Sequence, residues 1–356
     1  MTHASPFVAE LLERGAAGFA GYATDLLLER DDGIEQRYQP DAFGTWKAHL
    51  TQRIVELAAA VAVGEHRLFV ARLKWSRKAF EARGNDVADL QASLLALRGV
   101  MGQNMPKDAG EECIEYIDAA LSALDNEPPA LDQSALDPAA PNDRIALRYL
   151  QQVLEGNVAG AIDTVKNAAR SGLSAAEVYL DVLLPAQREI GRLWHLGDIT
   201  IPEEHLVTAT TQRAMSVVSN AAADVAPNGK TMVAAAVAGN AHDVGLRAVA
   251  DLFQLQGWRA IFVGSDIPSG ELPNSLTYFE ADVLLLSATL STQIQKVAET
   301  IRVIRDRCER DVKIIVGGAA FDEAPDLWRR VGSDGYSQTI DGAIELGSRL
   351  VGIRAA

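Results

Sequence analysis

The chain has 356 residues, 48% of them hydrophobic and 23% charged, with a net charge of −15. That is the composition of a globular protein large enough for two or three domains, and so acidic a balance excludes a general nucleic-acid binder, which needs a Lys/Arg surface. Apolar runs such as 57–63 and 283–286 are too short to cross a bilayer. The N-terminus lacks a signal peptide's basic flank and apolar stretch, and two cysteines, Cys113 and Cys308, make no disulfide framework. A cytoplasmic setting is expected.

Residues 1–126 read as an all-helical domain. Segments 7–30, 43–63, 65–83, 87–101 and 110–124 carry apolar residues at three- and four-residue spacing. Trp46, Leu50, Ile54 and Leu57 share one face, and Leu68, Ala71 and Trp75 another. Gly33, Pro40, Gly64, Gly84 and Pro106 punctuate the pattern. Residues 127–142 hold four prolines among small and acidic residues and are expected to be a linker. A second helical unit, 143–226, is divided by Gly156, Gly172 and Pro185 into roughly four helices.

From 229 to 356 the period changes. Short apolar segments at 231–238, 260–263, 282–287 and 313–316 alternate with helical ones at 245–256, 294–307 and 324–330. Fully apolar strands alternating with helices predict a doubly wound, Rossmann-like parallel sheet covered on both faces. The fold class expected is thus multi-domain, all-α followed by α/β.

In such sheets ligands sit beyond the carboxyl ends of the strands. There the sequence places Ala238-Gly-Asn-Ala-His-Asp-Val-Gly245, Ser287-Ala-Thr-Leu-Ser291 and Val316-Gly-Gly-Ala319. An imidazole, a hydroxyl cluster and paired glycines converge on one edge. A lone loop histidine is more often structural, and Gly-Gly after a strand is commonly turn chemistry. In this order, however, the three motifs resemble the cobalamin-binding domain of methionine synthase, the mutases and their relatives.

The resemblance implies that His242 ligates cobalt from below, in place of the cofactor's own dimethylbenzimidazole. It sets Asn240, Asp243, Val244 and Gly245 against the cofactor, and Ser287, Thr289, Gly317 and Gly318 around its nucleotide tail. Neutral imidazole suits such a metal. One position departs from the family pattern, which has a carboxylate two residues before the histidine. Asn240 can accept the imidazole's hydrogen bond but brings no charge, so a weaker donor to cobalt is expected.

The helices of 143–226 resemble the four-helix cap that covers the upper cobalamin face in this family. Within them, Trp194-His195 followed by Glu204-His205 is similar to the pattern of CarH-type adenosylcobalamin photoreceptors. Taken alone, Trp194 reads as a core residue and Pro202-Glu203-Glu204 as a helix start. The resemblance implies that Trp194 shields the adenosyl group, that Glu204 and His205 line its pocket, and that His195 takes the upper cobalt position after photolysis. The function expected is a non-enzymatic light sensor whose cap and quaternary or partner contacts change on Co–C cleavage. The alternatives are a corrinoid methyl carrier of a methyltransferase system and a light-independent cobalamin sensor. A mutase would need a large substrate barrel for which 356 residues leave no room.

The N-terminal helices do not resemble the basic helix-turn-helix of CarH-type repressors, so direct DNA binding is not expected. In architecture they resemble the globin-like domain of photocobilins, which implies biliverdin as a second chromophore; haem or no cofactor are the other readings. Trp46, His49, His66, Phe69, Trp75 and Phe80 would wall such a slot, with Arg72, Lys74, Arg77 and Arg83 for the propionates. At helical spacing Trp46, Phe69 and Trp75 are more often core, and exposed arginines are usually solvated.

Overall fold

A computed structural model describes residues 5–125 and 133–353, so part of the proline-rich linker, 126–132, lies outside the described residues. The chain divides into two compact units. The first holds the described residues of 1–130 together with 288–299 and 319–332, and the second holds the remainder. Among the described residues, no helix is long and apolar enough to cross a membrane.

The first unit contains helices α1 (Pro6–Arg30), α2 (Asp32–Arg37), α3 (Ala42–Val63), α4 (His66–Ala82), α5 (Val87–Asn104) and α6 (Lys107–Asp125). Aspartates start three of them: Asp31, Asp41 and Asp86 accept from the amides of Gly33, Gly44 and Ala88. α3 ends at Gly64 in the left-handed region, φ 66°, and Arg330 closes that end by donating to Val63 O and Gly64 O at 2.9 and 3.1 Å. Leu12, Leu27, Ile34, Trp46, Leu50 and Ile54 are fully buried and form the centre. On α4 the buried stripe is Leu68, Phe69, Leu73 and Ser76 rather than Leu68, Ala71 and Trp75. Trp75 is 36% exposed and is covered by the Arg72 guanidinium, 4.7 Å from its ring.

A buried polar knot crosses this unit. Arg53 donates to Glu56 Oε1 at 3.0 Å and to Ser76 Oγ at 2.8 Å, and Arg72 stands 3.5 Å from Glu56. Near them, burial pushes the Glu323 carboxyl up to about 7; Arg72 opposes that shift while Glu56 and Asp322 add to it. Glu323 Oε2 has no hydrogen-bond partner. A carboxyl raised on folding contributes stability that is complete below its unfolded pKa and lost as pH rises through its folded one. Glu323→Gln should therefore flatten the decline in urea midpoint between pH 4.5 and about 7. Above that window it should stabilise by about 1 kcal/mol after solvent screening.

The second unit begins with helices α7 (Pro141–Leu154), α8 (Val158–Arg170), the turn α9 (Ala175–Glu177), α10 (Leu184–Leu196) and α11 (Ile201–Ala221). Between α9 and α10, residues Val178–Leu183 widen into a π-turn in which Leu184 N donates to Tyr179 O. Pro185 follows without a donor of its own, and a wider ring lets the chain pass it unbroken. α11 opens with a Thr200–Glu203 capping box.

The sheet order is β2-β1-β3-β4-β5, all parallel, with β1 Thr231–Val237, β2 Arg259–Ile267, β3 Val283–Ser287, β4 Lys313–Gly317 and β5 Gly335–Tyr336. β1 is buried throughout, as a central parallel strand must be. The remaining helices are α12 (Val244–Gln254), α13 (Leu272–Tyr278), α14 (Ile294–Arg307), α15 (Ala319–Asp322), α16 (Leu327–Arg330) and α17 (Ile340–Leu350). Leu246, Ala250 and Phe253 of α12 pack on one sheet face with Met232, Ala234, Ala236, Val283 and Leu285. Val244, Ala248 and Leu252, on a neighbouring stripe, share a core with α7–α11 instead. One helix thus belongs to both layers.

Candidate functional site

The strand order reverses direction between β1 and β3, and the crevice beyond their carboxyl ends is the ligand position of a doubly wound sheet. Ala236 and Ser287 lie in register there. The loop leaving β1 turns at Gly239, φ 79°, and carries Asn240 and His242.

Asn240 is wholly buried and spends its side chain on both neighbours. Its Nδ2 donates to Ser287 O at 3.2 Å, and its Oδ1 accepts from His242 N at 3.1 Å and lies 3.3 Å from His242 Nδ1. Only one amide orientation satisfies the Ser287 carbonyl and the His242 amide together. The carboxamide oxygen therefore faces Nδ1, which selects the Nδ1–H tautomer and leaves the Nε2 lone pair for a ligand. His242 itself is exposed. Among the described residues no group of three or more His, Cys, Asp or Glu is placed to hold a metal ion. A solitary imidazole suits a metal that brings its other donors in a macrocycle. The space beside it agrees, because a Cβ on exposed Gly245 would meet no protein atom within 4 Å, so the chain's own packing does not require glycine there.

Asp266, at the end of β2, clamps this loop from outside. Its Oδ1 accepts from Gly239 N at 2.7 Å, and its own amide donates to Asn240 O at 3.1 Å. It adopts φ 55°, a left-handed conformation that aspartate tolerates better than most residues. Sequence reasoning missed Asp266; the turn-rich Gly264-Ser-Asp-Ile-Pro268 after an apolar strand was the available signal.

The other expected residues divide. The Asp243 carboxylate faces Gln212 of α11, whose Nε2 donates to it at 3.0 Å. Val244 is buried in the core shared with α7–α11. Thr289 N donates to Gln293 Oε1 at 2.9 Å, closing the turn after β3. At Gly317 a Cβ would come within 3.2 Å of Ser337 O, a tight contact with the chain's own backbone. Gly318, at φ 96°, is demanded by the backbone.

On the helical side, Trp194 and His195 close α10 just before the left-handed Gly197, φ 80°, while Glu204 and His205 lie in the first turns of α11. Trp194 is half-buried and His195 buried, whereas the His205 side chain is 73% exposed. Glu204 Oε1 accepts from Thr208 Oγ1 at 2.7 Å, and Thr208 accepts from Gln187 at 2.5 Å. Glu203 is taken by the helix cap, where the Thr200 hydrogen bonds hold its carboxyl below the usual range.

In the first unit, Tyr38, Trp46, His49 and Phe80 come together, with centroids 5.0 Å (Tyr38–Trp46), 5.2 Å (Trp46–His49) and 5.6 Å (His49–Phe80). Tyr38 OH, Trp46 Nε1 and His49 Nε2 are buried without hydrogen-bond partners. Burial holds the His49 imidazole down at about 3, with Arg53 adding to the effect. His66 stacks on Tyr116 instead, at 4.1 Å. Of the cations expected for propionates, Arg72 faces Glu56, and Arg77 bonds Glu81 and Leu124 O.

Comparison with known proteins bears on the same segments. Residues 145–219 and 230–344 each match a family described as B12 binding domain. A corrinoid protein of Desulfitobacterium hafniense is 23% identical over 211 residues, covering 57% of this chain and 95% of that protein. The dimethylamine corrinoid protein of Methanosarcina barkeri is 26% identical over 213 residues, covering 57% of this chain and 97% of its own length. Among solved structures, the Methanosarcina barkeri monomethylamine corrinoid protein superposes with a TM-score of 0.50 at 19% identity, over 60% of this chain and all of that one, a likeness of fold. Neither matched domain reaches the helices before residue 145. With its two B12-binding domains at 145–219 and 230–344, the chain is a cobalamin-binding protein.

Proposed function

We propose that this chain is a corrinoid carrier, not itself an enzyme, that holds cobalamin on His242 and presents its upper face to a partner methyltransferase. The single observation that carries the reading is the Asn240–His242 pair, which turns one exposed imidazole nitrogen outward at the switch point of the sheet. The cofactor supplies a cobalt centre that takes up and releases a one-carbon group. The chain's part is to orient: Asn240 fixes the tautomer, Asp266 clamps the loop, and α7–α11 share a core with α12 that keeps them beside His242. The relatives named as corrinoid proteins support this over light sensing.

A light-responsive adenosylcobalamin protein is the second reading, favoured by Trp194-His195 beside Glu204-His205 where α10 hands over to α11. Biliverdin in a globin-like first unit would belong to it, supported by the three unpartnered polar atoms among Tyr38, Trp46 and His49. One experiment separates the readings. The full chain is reconstituted in the dark with methylcobalamin, adenosylcobalamin and biliverdin, and its spectrum and molecular mass are followed before and after green light. A carrier keeps one mass in dark and light and passes its methyl group on only when a corrinoid methyltransferase is added. A light-dependent change of mass, together with a lit spectrum that His195→Ala alters, would replace the carrier by the sensor.

A further inference from the structure

α12 begins two residues after His242, and its first turn leaves unused a cap that its sequence supplies. Asp243 stands at the N-cap position, φ −120° and ψ −9°, yet its carboxylate bonds none of the helix's own amides. Aspartate is among the best N-cap residues because its oxygen ordinarily takes the second or third amide of the helix. Those amides belong to Gly245 and Leu246. Here Asp243 Oδ1 accepts instead from Gln212 Nε2 of α11.

That bond is the first of three polar links spaced one turn apart along α12. Arg247 donates to Ser216 Oγ at 2.9 Å, and Asp251 lies 2.6 Å from the Tyr179 hydroxyl. Beside them run Val244, Ala248 and Leu252, buried with the helices of the same unit. Lifting α11 from α12 therefore breaks Asp243–Gln212 at the end nearest His242.

The geometry points to Asp243 as a positioning residue for His242 with two alternative partners. Gln212 holds it while α11 is seated, and the Gly245 and Leu246 amides take it when α11 lifts. The exchange needs more than a side-chain swing. Capping requires ψ of Asp243 to move from −9° toward the extended region, and that rotation turns the His242 segment relative to α12. Asn240 anchors the far side of the segment through His242 N, so the imidazole absorbs the movement. Seating of the helical layer and placement of the imidazole are then one equilibrium. The effect at His242 rests on the cobalamin reading; the exchange of partners does not.

The test uses the full chain, ligand-free and reconstituted with hydroxocobalamin. In ligand-free Gln212→Ala, freed Asp243 should cap α12, and hydrogen exchange at the Gly245 and Leu246 amides should slow about fivefold. In the reconstituted variant the absorption spectrum should show a larger fraction with the axial imidazole displaced. Asp243→Asn, which can both accept from Gln212 and cap, should keep wild-type exchange and spectrum. Asp243→Ala should shift the spectrum without protecting Leu246. Unchanged exchange in ligand-free Gln212→Ala, or an unchanged spectrum in its reconstituted form, overturns the assignment. Failure of the wild-type chain to take up hydroxocobalamin would instead sink the cobalamin reading, and the ligand-free exchange data would still decide the exchange of partners.

Discussion

Replacing His242 by alanine is expected to leave any cobalamin that still binds without a protein nitrogen on its lower face, and to weaken binding by about 100-fold or more. Loss of a residue that merely orients a metal ligand costs 10–100-fold as a rule, and this change removes the ligand. Spectroscopic titration with hydroxocobalamin reads both effects. A wild-type spectrum and affinity in His242→Ala would place the axial donor elsewhere.

Asn240 makes the sharper case. From sequence, an amide where the pattern it resembles has a carboxylate looks like a weakened version of the same device. The structure gives it a second task, because Asn240 Nδ2 donates to the Ser287 backbone carbonyl while Oδ1 serves His242. A carboxylate cannot donate, and Asn240→Asp would set an anionic oxygen against that carbonyl in a fully buried position. The expected outcome is a loss of about 1–3 kcal/mol of stability, seen as a lower urea midpoint, and no gain in cobalamin affinity. Tighter binding at undiminished stability would show that Ser287 O does not require the amide. Asn240→Ala, which leaves both partners unmet, should lose about 10–100-fold in affinity.

What the sequence made legible follows from the range of the interactions involved. β1, β3 and β4 are buried strands whose continuous apolar runs declare them, and the His242 loop sits in a motif eight residues long. β2 runs from Arg259 to Ile267, well past the apolar stretch 260–263, because as an edge strand it is only half-buried. β5 is two residues long and carries no periodic signal. α2 has one buried apolar residue, Ile34, and owes its start to the Asp31 cap. In the site, Asn240 and His242 are near neighbours in the chain. Gln212, Asp251 and Asp266 act across 26 to 72 residues of sequence on Asp243, Tyr179 and the Gly239–Asn240 turn. Spacing is silent about such pairs. It is silent too on the Asp243–Gln212 bond, which ties the residue beside the imidazole to the next helix.

Tyr179→Phe is expected to loosen the junction between α7–α11 and α12 while leaving its apolar packing intact. The ring is fully buried inside the π-turn, and its hydroxyl lies 2.8 Å from Met215 O and 2.6 Å from Asp251 Oδ2. One hydroxyl proton cannot serve both acceptors. Tyr179 donates to Met215 O or to the Asp251 carboxylate, and burial pushes the Asp251 carboxyl upward. Tyr179 and Arg247 restrain that rise without cancelling it. Phenylalanine keeps the volume and removes the donating hydroxyl, leaving Met215 O and Asp251 short of a partner at a cost of about 1–3 kcal/mol. The pH dependence fixes the sign. Because the folded pKa of Asp251 lies above its unfolded value, its contribution is complete below about 3.8 and is lost as pH rises through the folded pKa. Tyr179→Phe removes a group that lowers this pKa, so the decline should extend to higher pH. Asp251→Asn should abolish it. Urea midpoints measured from pH 4 to pH 8 decide the point. A uniform loss in Tyr179→Phe at every pH, with the wild-type slope retained in Asp251→Asn, would mean that Asp251 is ionised in the folded chain and that Tyr179 acts through packing alone.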